Sequence, residues 1–343
     1  MAVFTEVSAA EASELVARLS VGRLTDLRGI QAGIENSNFF LDTRDKGSTR
    51  HWVLTLFERL SFEQLPFYLE LMRHLAERGI PVPMPQADAD GAILHRLKGK
   101  PVALVDRLPG GHQLAPDADH CAQVGAMLAR MHEAGRDLPR QQPNLRGLAW
   151  WAETVPLVLP HVSPEQRALL QSELHYQQQL AASPAYASLP RGPIHADLFR
   201  DNVMFEPGGE RLGQGGRGRD RERLCGFFDF YFAGVDTFLF DIAVCLNDWC
   251  IDLASGVMAD DRAQAFLGAY AGVRPLTSNE QRLLPALQRA AALRFWLSRL
   301  WDLHLPRNAA LLKAHDPRHF ERVLRARLAQ PWHPDTQPFG TPT

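Results

Sequence analysis

The apolar residues of this chain change their period once, near residue 108, and that change sets what the chain can fold into. Before it, the pattern alternates in short runs. LRGIQAGIENSNFFLDT (27–43) reads as strand, glycine-containing turn and strand. HWVLTLFE (51–58) alternates as another strand, and the turn RDKGS before it closes a hairpin. Two more strands are expected around 92–96 and 101–107, on either side of the turn LKGK. Helices interrupt this pattern twice. Ser8 and Glu11 form a capping box ahead of Leu15, Val16 and Leu19, and Ser61 with Gln64 opens a second helix that ends at Gly79. PVPMP (81–85) cannot be helical and reads as an extended connector. After LPGGHQL (108–114), helical spacing takes over. Val124, Met127, Leu128 and Met131 make one stripe of a helix from Asp117 to Ala134, and further helices are expected over 164–182, 260–271, 279–302 and 316–329. Only 194–240 keeps short apolar runs.

The expected architecture is therefore α+β. A small N-terminal antiparallel-sheet lobe (1–107) is followed by a larger, mainly helical lobe (108–343) with a small embedded sheet. A length of 343 residues suits two such units. A formal net charge of −2 argues against a dedicated nucleic-acid binder. The first residues carry Glu6, Glu11 and Glu14 and have no apolar core of a leader, and no run is long enough to span a bilayer. Four cysteines without C-x-x-C spacing read as reduced and buried, and the expectation is a cytoplasmic protein, a monomer or homodimer, with no membrane partner. The stretch GGERLGQGGRGRDRER (208–223) reads as a solvated loop inserted at a hairpin tip.

Chemistry concentrates in His195-Ala-Asp197-Leu-Phe-Arg-Asp-Asn202, which fits H-x-D-x-x-x-x-N, the catalytic-loop pattern of kinase-type phosphotransferases. The Asp reaches a substrate hydroxyl, while the Asn five residues on turns back to a metal ion at nucleotide phosphates. Downstream, the strand-like run Cys225-Gly-Phe-Phe-Asp229 presents one carboxylate at its end, as a kinase needs for Mg²⁺. The inserted loop accounts for the long separation between Asp197 and Asp229, because a hairpin tip can grow without moving its strands.

The order of these elements resembles the aminoglycoside phosphotransferase and choline kinase superfamily, with its protein-kinase-like bilobal fold. Within it, GIENSNFFLDT, VLTLFE, GIPVPMP, HADLFRDNVMF and LRFWLSRLWD look like the kinase-like type of bacterial homoserine kinases. The resemblance covers nearly the whole chain. It implies an ATP- and Mg²⁺-dependent enzyme that phosphorylates the side-chain hydroxyl of L-homoserine, a step toward threonine. It also implies residue roles. Asp197 is the catalytic base or substrate-orienting carboxylate, and Asn202 and Asp229 are metal ligands. His195 holds the loop through hydrogen bonds, and Asp241 braces it. Asp106 to Leu108 present backbone groups to adenine.

The chain also departs from that pattern. VLTLFE places Thr55 where the fold carries a phosphate-binding Lys, so either an Arg reaches in from elsewhere or metal ions carry more of the load. Gly29-Ile-Gln-Ala-Gly33 is not G-x-G-x-x-G, yet backbone N–H groups near Gly33, with Asn36, Ser37 and Asn38, can still meet phosphate. A homoserine pocket needs a cation, ideally the fork of an Arg, and an acidic partner for the ammonium. Arg294 and Arg299 are candidates for the first and Asp248 for the second. The alternatives are another acceptor (choline, ethanolamine or an aminoglycoside) and a catalytically dead kinase-like binding module.

Overall fold

The computed structural model describes residues 4–31, 36–208, 221–305 and 315–334, which form two compact units. The first unit comprises Met1–Pro109 together with Gly226–Phe228, and the second comprises Gly110–Cys225 and Asp229–Thr343.

The first unit is built on five antiparallel strands: β1 (Arg23–Gly29), β2 (Asn36–Asp45), β3 (Ser48–Phe57), β4 (His95–Leu97) and β5 (Lys100–Asp106), in the order β1-β2-β3-β5-β4. Both tight hairpins carry positive φ at two successive central residues, Lys46 (47°) with Gly47 (88°) and Lys98 (50°) with Gly99 (75°). That is the turn hand whose twist matches the strands. One face of the sheet packs on α1 (Ala9–Leu19), whose Ala12, Leu15, Val16 and Leu19 meet Phe39, Leu41, Trp52, Leu54, Leu56, Val102 and Leu104. The capping box of Ser8 and Glu11 is formed as expected. The second helix, α2 (Pro66–Glu77), starts later than the Ser61–Gln64 signal suggested. Gln64 Oε1 does accept from Ser61 N–H at 3.0 Å, but that bond closes a preceding turn. Pro66 takes the first helical position, where its missing N–H costs nothing.

The second unit contains α3 (Ala118–Gly135), α4 (Leu148–Val158), α5 (Pro164–Ala181), α6 (Pro184–Ala187), α7 (Phe238–Trp249), α8 (Asp260–Val273), α9 (Ser278–His304) and α10 (Arg318–Ala329). Two small ladders accompany them, β6 (Arg191–Ile194) with β9 (Gly234–Thr237), and β7 (Val203–Glu206) with β8 (Arg223–Phe227). All twelve residues of α7 are buried. The sequence did not mark α7 as a helix, because FLFDIAVCLNDW is apolar all round and shows no period. Where α3 passes α8, the backbones touch: a Cβ built on Gly125 would lie 2.2 Å from the Phe266 carbonyl oxygen. None of the four cysteines is in a disulfide; Cys121, Cys245 and Cys250 are buried as expected, but Cys225, in β8, is partly exposed, so the expectation of four buried thiols fails there. Residues 209–220, most of the Gly/Arg-rich insertion, lie outside the described residues, as does Gly33.

Candidate active site

The H-x-D segment leaves β6 and is held almost entirely by one helix. Successive N–H groups of His195 and Ala196 donate to Asp241, to Oδ2 and Oδ1 respectively, each at 2.8 Å. Cys245 Sγ donates to the Leu198 carbonyl at 3.6 Å, and Trp249 Nε1 donates to the same oxygen at 2.9 Å. Asp248 Oδ2 accepts from Arg200 N–H at 2.9 Å and from Arg200 Nε at 3.1 Å. Positions 241, 245, 248 and 249 follow the i, i+4, i+7, i+8 spacing of a single helix face. One stripe of α7 therefore fixes the whole run from 195 to 200.

Behind Asp241 stands a second layer. His132 Nε2 lies 3.1 Å from Asp241 Oδ2, and His132 Nδ1 lies 2.8 Å from the Tyr270 hydroxyl. His132 and Asp241 are both fully buried. Burial pushes the Asp241 carboxyl up, but the hydrogen bond and charge of His132, the charge of His195 and the His195 N–H outweigh it and hold the carboxyl below its ordinary value. Burial likewise depresses His132. An ionised Asp241 accepts from Nε2–H, so Nδ1 is the acceptor of the Tyr270 O–H. Asp241 thus braces the loop as the family resemblance implied. No sequence signal marks His132 or Tyr270, which sit inside ordinary helical patterns.

Within the loop, Ala196 adopts φ 63°, a left-handed conformation that turns the chain and leaves Asp197 half-buried. Asp197 N–H donates to His195 Nδ1 at 3.3 Å, and the buried His195 ring packs against Phe230 with centroids 4.6 Å apart. His195 therefore acts on the loop's shape. Asn202 Nδ2 donates to the Asp197 carbonyl at 2.8 Å, which orients the amide oxygen of Asn202 in the opposite direction. Asp229 follows β8 and also takes a left-handed conformation (φ 68°, ψ 60°) before the short turn Phe230–Phe232. Burial raises the Asp197 carboxyl well above its ordinary value. Arg294 opposes that rise, while Asp229, Asp201 and Asp248 add to it. The carboxyl groups of Asp197 and Asp229 and the amide oxygen of Asn202 are hard oxygen donors, the donor chemistry Mg²⁺ takes. Among the described residues no three acidic, histidine or cysteine side chains form a closed metal cage.

The residues expected to meet the acceptor fall into different settings. Asp248 is held by Arg200, so its Oδ2 has a structural partner in place of a substrate ammonium. Arg299 donates from Nη1 to the Asp316 carbonyl at 3.1 Å and lies over Phe320. Arg294 is buried, and its Nε and Nη2 have no hydrogen-bond partner among the described residues.

In the first unit, Thr55 and Asn38 face each other across the β2–β3 pair, and Thr55 Oγ1 donates to Asn38 Oδ1 at 2.9 Å. Asn36 lies on the same face of β2, two residues away, and is half-buried. Ser37 points to the opposite face, where its Oγ accepts from Phe4 and Thr5 N–H groups and donates to Glu58 at 2.6 Å. That excludes Ser37 as a phosphate donor. Lys100 does not replace the missing Lys, since Glu58 and Thr5 engage its ammonium. The Asp106 N–H donates to the Met84 carbonyl at 3.3 Å and that of Arg107 to the His51 carbonyl at 3.1 Å, so neither donor is open to a nucleobase. Leu108 is half-buried, beside Gly226.

Comparison with known proteins adds independent findings. The sequence pattern of the APH phosphotransferase enzyme family matches residues 26–276. The chain is 64% identical over 332 residues to a homoserine kinase of Polaromonas naphthalenivorans (strain CJ2), covering 97% of this chain and 99% of that one. It is 58% identical over 340 residues to a homoserine kinase of Cupriavidus taiwanensis, covering 99% of each. Among solved structures, amicoumacin kinase hAmiN in complex with AMP-PNP, Ca²⁺ and Ami superposes with a TM-score of 0.64 at 16% identity, covering 93% of both chains. Spectinomycin phosphotransferase APH(9)-Ia gives 0.64 at 13% identity, covering 95% of this chain and 99% of that one. These likenesses establish the fold.

Proposed function

We propose, from the premise that the chain belongs to the phosphotransferase enzyme family, that it transfers the γ-phosphoryl group of ATP to the side-chain hydroxyl of L-homoserine, yielding O-phospho-L-homoserine and ADP. The observation that carries the acceptor is the near-full-length identity to homoserine kinases. The loop bonding around Asp197 and Asn202, and the charge of Asp229 acting on Asp197, support the chemistry.

Phosphoryl transfer of this type runs through a loose transition state, so positioning and electrostatics do most of the work. In this reading Asp197 accepts a hydrogen bond from the homoserine hydroxyl and aligns its oxygen with the γ-phosphorus. The new O–P bond forms as the bridging O–P bond to ADP breaks, and the hydroxyl proton passes to the Asp197 carboxylate. A carboxyl whose proton affinity is raised by burial suits that late transfer. Rigidity comes from α7, because the bonds from Asp241, Cys245, Asp248 and Trp249 keep the loop from relaxing away. Asn202 and Asp229 would hold Mg²⁺, which when bound neutralises charge on the phosphate oxygens. On the nucleotide side the reading uses the β2–β3 face with Asn36, Asn38 and Thr55. The Thr55 hydrogen bond to Asn38 Oδ1 turns the Asn38 amide so that Nδ2 is the outward donor. An ATP-using enzyme with thiols that form no disulfide fits the cytoplasm.

The test is ADP release by the purified chain with ATP, Mg²⁺ and a panel of L-homoserine, choline, ethanolamine and kanamycin. Homoserine is expected to exceed every other acceptor by at least about 10²-fold in kcat/KM, the discrimination available to a site that pairs a charged group. Turnover of choline or kanamycin in preference to homoserine would refute the reading.

A further inference from the structure

Arg294 lies on α9, 2% exposed, with its charge in an aromatic slot. Its Cζ is 3.8 Å from the Phe295 ring centroid and 4.9 Å from that of Phe232. Rings at these distances cover the faces of a planar guanidinium and leave its edge for hydrogen bonds. On that edge, Nε and Nη2 are both buried and without a partner among the described residues. A buried ionised donor left unpaired is strongly unfavourable, so a native structure that keeps one reserves it for something that arrives later.

The identity of the two atoms says what arrives. Nε and Nη2 form the side-on fork of an arginine, and among the described residues that fork holds a carboxylate at Arg289, Arg325 and Arg318, the last with Nε 3.0 and 2.9 Å from the two Asp316 oxygens and Nη2 2.7 Å from Oδ2. Arg289 Nε meets both Glu173 oxygens at 3.1 Å while its Nη2 meets Oε2 at 2.6 Å. Arg325 grips Glu321 Oε1 by the same two atoms, at 3.0 and 2.9 Å. The partner of such a fork is a carboxylate. Its location fits as well. Phe232 ends the turn that starts directly after Asp229, and Asp197 is the foremost opposite charge acting on Arg294. Arg146 lies over the same Phe232 ring at 6.0 Å, which makes the neighbourhood still more favourable to an anion.

We infer that the Nε/Nη2 edge of Arg294 is the subsite for the acceptor's α-carboxylate and makes the enzyme select an amino acid over the matching amino alcohol. The inference rests on the homoserine reading above and adds the group that enforces it. In homoserine four bonds separate the hydroxyl oxygen from the carboxylate carbon, so a fork beside Asp197 and the Asp229 turn engages one end of the molecule while Asp197 engages the other. Arg299 is the weaker candidate, because its Nη1 is already bonded to the Asp316 carbonyl.

The experiment compares L-homoserine with 3-aminopropan-1-ol, its counterpart without the carboxylate, using the wild-type chain, Arg294→Lys and Arg294→Gln at saturating ATP. Wild type is expected to favour homoserine in kcat/KM by about 10³-fold or more. Both variants should lose about 10²–10³-fold on homoserine, the effect of removing one partner of a buried charge pair. On the amino alcohol they should stay within about 3-fold of wild type. Calorimetric ADP binding unchanged in Arg294→Lys will show that the fold and the nucleotide site are intact. Equal losses on both acceptors, or weakened ADP binding by a folded variant, would mean that the fork serves phosphate or Asp197, and would overturn the subsite alone. Equal wild-type efficiency on the two acceptors would overturn it without any variant. Wild-type turnover of neither, with another alcohol accepted, would remove the homoserine reading and this subsite with it.

Discussion

Two non-glycine residues with left-handed backbones, Ala196 and Asp229, stand at the two carboxylates to which the proposed function gives roles. Strain of this kind costs about 1–3 kcal/mol and persists only where the surroundings over-determine it. At Asp229 it separates two variants that simple charge removal would treat alike. Asp229→Ala and Asp229→Gly should both abolish turnover, since each removes the proposed metal ligand. Urea denaturation should nevertheless find the Gly variant more stable by about 1 kcal/mol, because only glycine takes positive φ freely. A more stable Ala variant would contradict the backbone assignment. At Asp197 the expected effect is purely chemical. Asp197→Asn keeps the shape but cannot take the proton, and kcat should fall by about 10²–10⁴ with the KM for ATP little changed. Parallel losses in both parameters would show that the residue holds nucleotide.

The sequence displayed those two residues through spacing, yet it hid what positions them. Helices with one apolar stripe, such as α1, could be read from period alone, as could the hairpins with their Lys-Gly turns. The helix that organises the loop could not. α7 is buried all round, so its informative residues were the few polar ones in an apolar run, Asp241 and Asp248, one face apart by two turns. His132 and Tyr270 escaped for a different reason, since a single polar residue in a helical stripe has many uses and only contact across α3, α7 and α8 selects one. Tyr270→Phe removes the O–H that His132 accepts. It should cost about 1 kcal/mol of stability and lower kcat several-fold while leaving the KM for ATP unchanged. The same helices supply a packing prediction. Gly125→Ala puts a methyl 2.2 Å from the Phe266 carbonyl oxygen, so α3 and α8 must separate, and a loss of at least about 2 kcal/mol is expected in denaturant melts.

Acid sensitivity is a property of the entire fold, and its sign follows from the buried histidines. Burial and the charges of Arg299, Arg322 and Arg200 push His319 down to about 4, and burial depresses His132 and His95. Between an unfolded value of 6.5 and those lower folded values, the unfolded chain binds more protons, so the contribution to stability is complete above pH 6.5 and is lost as pH falls toward 4. Raised carboxyls such as Asp248 and Asp236 act in the opposite sense. The comparison that isolates the histidine effect is His319→Gln against wild type, and the variant should show a flatter fall in urea midpoint across that window. The division of the chain into units has a further consequence for how the protein is made. Gly226–Phe228 belongs with the first unit, where Phe227 N–H donates to the Pro81 carbonyl and Leu108 covers Gly226. A ribosome adding about 5–20 residues per second needs roughly 6–25 s to travel from Pro109 to that tripeptide. For that interval the rest of the first unit has been synthesised but lacks its last piece. Its final closure must then wait until most of the second unit's early helices have emerged.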